Sequence, residues 1–447
     1  MPGDPGEAEG TTSAARRLRE RVLARLSPSG RGVFTILGGT AGGQALALAV
    51  APVLSRLYSP SDFGVFTILS SLVAVVGTVS TLRFDLAIPL PKRERDAQGL
   101  VALGLISTAV TFGLTSAIVG LGGADFARAF GQSSLMPWLW FVPMTSCLMG
   151  VYLVLNQLAI RHRRYKAIGR RNLLQSAAMV ATQVLAGLVG MRAGGLVLGL
   201  GVGQATSALS LVGGSGLFSA DAKEGRHRDR LRAVARRYRR FPLILTASGL
   251  LNVLGLHLPV LLIAYWYGSS VAGWTGLTQR VLSLPVMLVG TAIAQVYIGE
   301  LSRVVRDDPV GAARLFRVTS RRLLIVAAVP AIVLLVAGPQ LFALVFGAEW
   351  RTSGQYAQAL AVSLAAQLVA VPVSQTLVVL ERQATQLAWD IGRLALLTGT
   401  VTVCHALGAS ALTALWAFAA SSAAAYAVSW ILSRHVINAA RSGPRRT

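Results

Sequence analysis

Stretches of about twenty consecutive apolar residues recur along the whole chain. Each is long enough to cross a bilayer as a helix, because the hydrocarbon core is about 30 Å thick and a helix rises about 1.5 Å per residue. With turns at the polar interruptions, they predict spans at 33–55, 64–82, 97–121, 135–159, 172–191 and 194–218, then at 241–266, 273–299, 321–346, 355–380, 388–406 and 409–432. Inside hydrocarbon the backbone must bond to itself. The fold class that follows is an all-α polytopic membrane protein of about twelve transmembrane helices. Only 13% of the 447 residues are charged, about half the share that a water-exposed surface carries.

The arginines orient this array. Threaded through the twelve spans, 36 of the 42 Lys and Arg residues fall on the side of the N-terminus, and four (Arg56, Arg128, Arg192 and Arg351) fall on the other. Basic loops stay in the cytoplasm, so the chain is read as a multi-pass protein of the cytoplasmic (inner) membrane with both termini inside. The longest basic stretch, Asp221–Arg240, divides the spans six and six, so both halves enter the membrane in the same direction, as parallel repeats do in transporters. The expected organisation is a basic N-terminal tail (1–32), an N-lobe of spans 1–6 (33–220), a basic linker (221–240), a C-lobe of spans 7–12 (241–435) and a C-terminal tail (436–447). Weak internal similarity accompanies this: Phe130-Gly131 after span 3 answers Phe346-Gly347 after span 9, and Phe63-Gly64 at the start of span 2 answers Ala272-Gly273 at the start of span 8.

Residues 13–26 place Ala15, Leu18, Val22 and Leu26 on one helical face with arginines around the rest. A helix lying on an anionic leaflet and a basic tail that only satisfies topology both remain open for it. The loop Leu301–Ser320 shows a similar interleaving of apolar and arginine residues.

Several function classes are disfavoured. The net charge of +24 is spread over short loops rather than gathered in one basic domain with interleaved aromatics, which argues against a nucleic-acid partner. Cys147 and Cys404 lie in apolar runs, and no Cys/His cluster has metal-ligand spacing. The first 31 residues lack the apolar core of a cleaved signal peptide. No GxxxxGK[ST] loop is present to hold nucleotide, and the outer loops are too short to carry a catalytic carboxylate pair. Neither a cofactor, a metal nor a catalytic residue is expected.

Ionisable groups inside spans are costly, and they mark function by default. Here they are Arg56, Arg83, Asp85, His257, Arg280, Glu300, Glu381, Asp390 and Arg393. Arg280 lies seven residues into span 8, so snorkelling to the outer surface would have to cover roughly 10 Å. It needs an anionic partner or a water-filled cavity. Arg83 and Asp85, two positions apart, point in different directions on a helix, which leaves Asp85 to an arginine on another helix or to a coupling cation. Asp390 and Arg393, three apart, share one face and read as a neutralising pair. Arg56 closes span 1 at the outer face, either lining the cavity or snorkelling. His257 reads as a hydrogen-bonded helix residue, and Pro143, Pro259, Pro285, Pro330 and Pro372 place bends inside spans.

Four segments carry a family resemblance: LSRLYSPSDFGVF (54–66), RFDLAIPLP (83–91), TQRVLSLPVMLVGTAIAQV (278–296) and LVFGAEWRTSGQY (344–356). In this order and spacing the chain resembles the polysaccharide flippases of the multidrug/oligosaccharidyl-lipid/polysaccharide exporter superfamily, including O-antigen and exopolysaccharide translocases. The resemblance implies two six-helix lobes around a central cavity that opens alternately to each side. It implies an undecaprenyl-diphosphate-linked oligosaccharide as cargo, with the lipid tail left in the bilayer and with polysaccharide polymerase and glycosyltransferases as working partners. Arg56, Arg83, Arg280 and Arg393 are the candidate substrate-binding residues; Asp85 and Asp390 are candidates for ion coupling or structural pairing. Moving negative charge outward from a negative interior is favoured by roughly 2.3 kcal/mol per charge per 100 mV. Two other readings compete. A drug/cation exporter of the same superfamily would favour intramembrane acids over arginines, and a membrane polysaccharide polymerase would carry a long outer loop.

Overall fold

The computed structural model describes residues 28–131, 135–213, 215 and 227–442; the amphipathic segment read at 13–26 lies outside them. Every regular element among the described residues is helical. The helices are α1 (Pro28–Ala49), α2 (Ala51–Leu57), α3 (Pro60–Val79), α4 (Glu94–Ala129), α5 (Phe141–Arg161), α6 (Tyr165–Leu188) and α7 (Arg192–Val212). After the short α8 (Arg228–Arg237) follow α9 (Thr246–Tyr267), α10 (Ser269–Pro285), α11 (Thr291–Asp307), α12 (Pro309–Phe346), α13 (Arg351–Val379), α14 (Gln383–Ala406) and α15 (Ala411–Ser442). Among the described residues, ten helices are long and apolar enough to cross a membrane. Large apolar side chains such as Ile118, Leu121, Leu209 and Val336 stand exposed on their outer faces, a surface suited to lipid and not to water. The chain is a multi-pass membrane protein.

Two of the predicted spans, the fifth and eighth, correspond to helices outside those ten. Helix α6 carries Arg170, Arg171, Asn172 and Gln175 in its first half. The eighth is broken into α10 and α11 by a π-helical turn, Val286–Gly290, directly after Pro285. Proline has no N–H to donate, and widened turns of this kind mark functional positions in many helices. Two segments read as loops are instead built. Leu301–Ser320 is a helical hairpin in which α11 and α12 meet at Asp308, whose carboxylate accepts from Gly311 N at 2.8 Å. Within Asp221–Arg240, α8 packs on the start of α4 and buries Val234.

Helix α3 is the common neighbour of both halves. It packs on α5 and α7 from the first half and on α9 and α10 from the second. Its N-terminus is held by a capping box: Ser59 Oγ accepts from Asp62 N, and Asp62 Oδ2 accepts from Ser59 N at 3.0 Å. Asp62 Oδ1 also accepts from Ala193 N at 2.9 Å, tying the start of α7 to the start of α3. Where α3 crosses α10, the backbones touch. A Cβ on Gly64 would lie 2.0 Å from Ser269 O, and one on Gly273 would lie 1.8 Å from Pro60 O. Glycine is required at both places because the neighbouring atom is backbone and has nowhere to go. The two residues related by the weak internal repeat are therefore in contact with each other.

The repeat is also visible in the turns. Arg163 and Glu381 both take positive φ, and each is flanked by the same pair of bonds: Arg163 N to Ile160 O with Arg164 N to Ala159 O, and Glu381 N to Val378 O with Arg382 N to Leu377 O. Gly190 and Gly408 form a second such pair, the same number of residues apart.

Contact between the halves continues beyond the crossing, along α3 and α9 and between Phe84–Ala87 and Phe241–Leu245. Helix α1 lies along α6, whereas α11 lies along α12 and α13. The crossing generates a prediction. Gly64→Ala and Gly273→Ala each lower thermal stability in detergent, by about 1–3 kcal/mol for overpacking a close contact. Gly113→Ala, where nothing lies within 4 Å of the new Cβ, leaves the melting midpoint unchanged.

Candidate functional site

The site is bounded first by the end at which it is sealed, the one near Arg56, Arg192 and Arg351. Beside the glycine crossing, Trp350 is fully buried against Phe63, with ring centroids 4.9 Å apart in an edge-on arrangement. Its indole Nε1 donates to Ser55 O at 2.9 Å, and Ser55 Oγ donates to Phe346 O at 2.8 Å. Tyr58 OH donates to Gln183 O at 2.6 Å. Burial, with the Asp62 carboxylate adding to it, pushes that phenol up to about 12, so it remains a neutral donor. The ring joins residues far apart in sequence, and each of these polar groups is bonded.

Between this seal and the arginine-rich end the bonding is incomplete. Arg280 reaches from α10 across to α1, where Nη2 donates to Ala47 O at 3.4 Å; Nη1 is buried with no partner. No carboxylate pairs with it among the described residues. The polar face of α10 continues in Gln279 and Ser283, which line a cavity of about 290 Å3 with His257 and Arg393. His257 Nδ1 lies 3.1 Å from Ser71 Oγ of α3, the bonded helix position expected of it.

Arg393 is 6% exposed and lines a second, adjoining cavity of about 440 Å3 that also touches Asn252, Gln367, Gln386, Asp390 and Tyr426. Its guanidinium lies over the Trp389 ring at 4.8 Å. It donates to Tyr426 OH at 3.3 Å and to Asn252 Oδ1 at 3.4 Å, and it lies 3.9 Å from Asp390 Oδ1. Even so, Nε has no partner. The Asp390–Arg393 pair exists, and it is long and one-sided.

Arg83 follows α3 in a left-handed turn, with φ 47° at Leu82 and 58° at Arg83. This backbone is costly for a residue with a side chain, and it aims the guanidinium at α9, where a Cβ on Gly249 would lie 2.3 Å from Nη2. Arg83 Nε is buried without a partner. Asp85 is 1% exposed; Thr81 Oγ1 donates to its Oδ1 at 2.6 Å, and Oδ2 is unbonded. Neither an arginine of another helix nor Arg83 pairs with Asp85 among the described residues. Arg56 is exposed at the sealed end, in the last turn of α2. Glu300 is on the surface and bonds Arg303 at 3.0 Å, and Glu381 is exposed in its turn.

One residue of the interior escaped the sequence reading. Arg171 stands one residue before predicted span 5, yet it is 7% exposed inside the first half. It lies over the Tyr152 ring at 4.7 Å and donates to Ser207 Oγ at 2.9 Å and to Gln175 Oε1 at 3.4 Å; Asn172 Oδ1 also accepts from it. Its Nε has no partner. The available signal was polar: Arg171, Asn172 and Gln175 open an otherwise apolar helix.

Four arginines thus keep at least one buried N–H without a protein acceptor. A buried donor left unmade costs about 1–3 kcal/mol, and more when charged. Such a set can receive an anion. The geometry also ranks the two members of the one ion pair, because Arg393 side-chain exposure is 5% and that of Asp390 is 17%. Removing the carboxylate strands the drier charge. Asp390→Asn therefore lowers the melting midpoint in detergent more than Arg393→Met does, and the reverse order contradicts this account of the pair.

Comparison with known proteins places the fold. The family described as "Polysaccharide biosynthesis protein" matches residues 53–355. Among curated proteins none matches the chain. An inward-facing multidrug resistance MATE family transporter of the MOP superfamily superposes with TM-score 0.66 at 13% identity, covering 91% of this chain and 95% of that one. An outward-facing MATE family transporter gives 0.58 at 12%, with 94% and 98% covered. The lipid II flippase MurJ, in an inward closed conformation, gives 0.63 at 9%, with 90% and 88% covered. These likenesses, at 9–13% identity, establish the fold. The chain belongs to the polysaccharide biosynthesis protein family and has the fold of the MOP-superfamily membrane transporters.

Proposed function

We propose that this protein moves an undecaprenyl-diphosphate-linked oligosaccharide from the inner to the outer leaflet of the cytoplasmic membrane by alternating access, for cell-surface polysaccharide synthesis. The observation that carries the proposal is the set of inward-facing arginines, Arg83, Arg171, Arg280 and Arg393, each with a buried N–H that no protein atom accepts. A diphosphate supplies acceptors of the right charge, and charge-assisted bonds to it are about twice as strong as neutral ones. In this reading all twelve predicted spans cross the bilayer, both termini are cytoplasmic, and residues 33–220 and 241–435 form two lobes that rock against each other, with the α3–α10 crossing parting when the outer end opens. The tails 1–32 and 436–447 and the linker 221–240 lie on the cytoplasmic side. The sealed end is then the outer one, and the higher similarity to an inward-facing relative than to an outward-facing one supports that assignment.

The cargo's sugars occupy the polar cavities beside Arg393, while its lipid stays in the bilayer. In the inward-open state the cargo enters at the arginine-rich end, meets Arg83 and reaches Arg280. Arg56 receives it when the outer end opens. Asp390 tempers Arg393. Asp85, with Oδ2 unbonded, is the group for a coupling cation, and it is the one observation that favours the ion-coupled exporter reading. Neighbouring glycosyltransferase and polymerase activities supply and consume the cargo.

Two measurements test this. Arg280→Ala, expressed at the normal level, lowers the appearance of lipid-linked glycan at the outer leaflet by roughly 10- to 100-fold, the loss of one charge-assisted bond, and Arg280→Lys recovers part of it. Wild-type flipping by Arg280→Ala would falsify the phosphate contact. In proteoliposomes, an inside-negative potential of about 100 mV accelerates export of the diphosphate-linked cargo. If potential has no effect and Asp85→Asn abolishes movement, coupling rests on an ion instead.

A further inference from the structure

The outer face of the second half carries a groove of about 570 Å3 between α12, α13 and α15 that the proposed cargo path does not use. Its walls are Leu324 of α12, Val362, Ala366 and Val369 of α13, and Ala427 and Trp430 of α15. Leu324 and Val362 are themselves exposed, so the groove opens to the side. At its arginine-rich end stand Arg317 and Arg321. Arg317 also borders a cavity of about 130 Å3 with Arg434, whose guanidinium lies 5.4 Å from the Trp430 ring centroid. All three arginines are exposed, and none forms an ion pair among the described residues.

Length and charge identify the occupant. Arg317 to Leu324 spans about 10 Å along α12, most of the ~15 Å of hydrocarbon in one leaflet. Three unpaired guanidiniums at one end of an apolar slot match a phosphate at the head of an acyl chain. We infer that the groove seats an anionic phospholipid of the adjoining leaflet. Its phosphate bonds Arg317, Arg321 and Arg434, and one acyl chain lies along α12 and α13 onto Tyr426. A cargo tail fits less well, because a diphosphate among the interior arginines is separated from the groove by Tyr426, which is 5% exposed.

Tyr426 gives the seat a consequence. It lines the groove on one side and both arginine-lined cavities on the other, and its hydroxyl accepts from Arg393. A chain packed on the ring steadies the acceptor that holds Arg393. The seat needs only the bilayer placement, so it stands whether or not the interior carries a lipid-linked glycan.

The test uses the full-length protein, delipidated in mild detergent and titrated with single lipids in native mass spectrometry. Wild type retains phosphatidylglycerol about tenfold better than phosphatidylcholine. The double variant Arg317→Gln/Arg321→Gln loses that preference while keeping its melting midpoint, and Ala366→Phe, which fills the slot, lowers retention of both lipids. Arg322→Gln, exposed but outside the groove, behaves as wild type. Equal retention of phosphatidylglycerol by wild type and the double variant overturns the assignment, as does equal binding of phosphatidylcholine by wild type. Displacement by an equimolar polyprenyl phosphate also overturns it and gives the groove to a cargo tail.

Discussion

The backbone crossing of α3 and α10 is the contact on which the rest of the molecule depends. Helix packing in membranes gains little from hydrophobicity, since lipid tails are as apolar as side chains, so close approach through small residues does the work. Gly64 and Gly273 bring two backbones into contact, and Thr67 and Gly276 continue the seam about one turn on. Around it the Trp350, Ser55 and Phe346 bonds complete a seal with no orphaned donor. With the halves joined here, α1 packs within the first half along α6 and α11 packs within the second along α12 and α13. A conformational cycle in such a frame has to break this seam, since it is where the two halves are joined most tightly.

The interior shows the opposite bonding economy. Arg171, Arg280 and Arg393 each make some bonds and leave one N–H unmade, and the Arg83 side chain makes none among the described residues. Arg171 has only neutral partners, a tyrosine ring, a serine and two amides, while Arg393 shares a distant carboxylate. A fully paired arginine has no bond left for an anion, and an unsupported one is too costly to bury. Partial satisfaction leaves the residue ordered and still receptive. It also keeps any one contact weak, which a carrier requires in order to release what it binds.

Much of this was legible in the sequence because the bilayer imposes a period that the chain must obey. Ten of the twelve apolar runs became helices long and apolar enough to cross a membrane, and the repeat read from Phe63-Gly64 and Ala272-Gly273 turned out to be a contact. Boundaries were less legible, since nothing in an apolar count reports that a helix continues past the hydrocarbon. Pro309–Phe346 therefore begins well before its predicted span, and Leu301–Ser320 became a hairpin. Arg171 was missed for the same reason: next to Arg170 and Lys166 it reads as a loop charge, and only packing shows that α6 turns it inward. The Asp390–Arg393 pair was visible from spacing alone. The wider setting of Arg393, with Asn252 and Tyr426 from other helices, depends on tertiary contacts that one sequence does not display.

The two halves share turns but not charge, and that difference bears on direction. Arg163 and Glu381 close equivalent turns with the same bonds, so the backbone repeat is close while the side chains on it have diverged. In the proposed cycle the interior cations are spread along the path: Arg83 follows α3 at one end, Arg280 is midway, and Arg56 is at the sealed end. An anion passed between such sites meets no single deep well. The membrane potential acts on the cargo's charge at roughly 2.3 kcal/mol per charge per 100 mV, whereas the arginines remain anchored to their helices. A tight cluster would oppose that force by holding the phosphate, and a path without cations would impose the cost of desolvating it. In the proposed cycle the separate placement of these arginines avoids both, and their incomplete bonding matters more than their number.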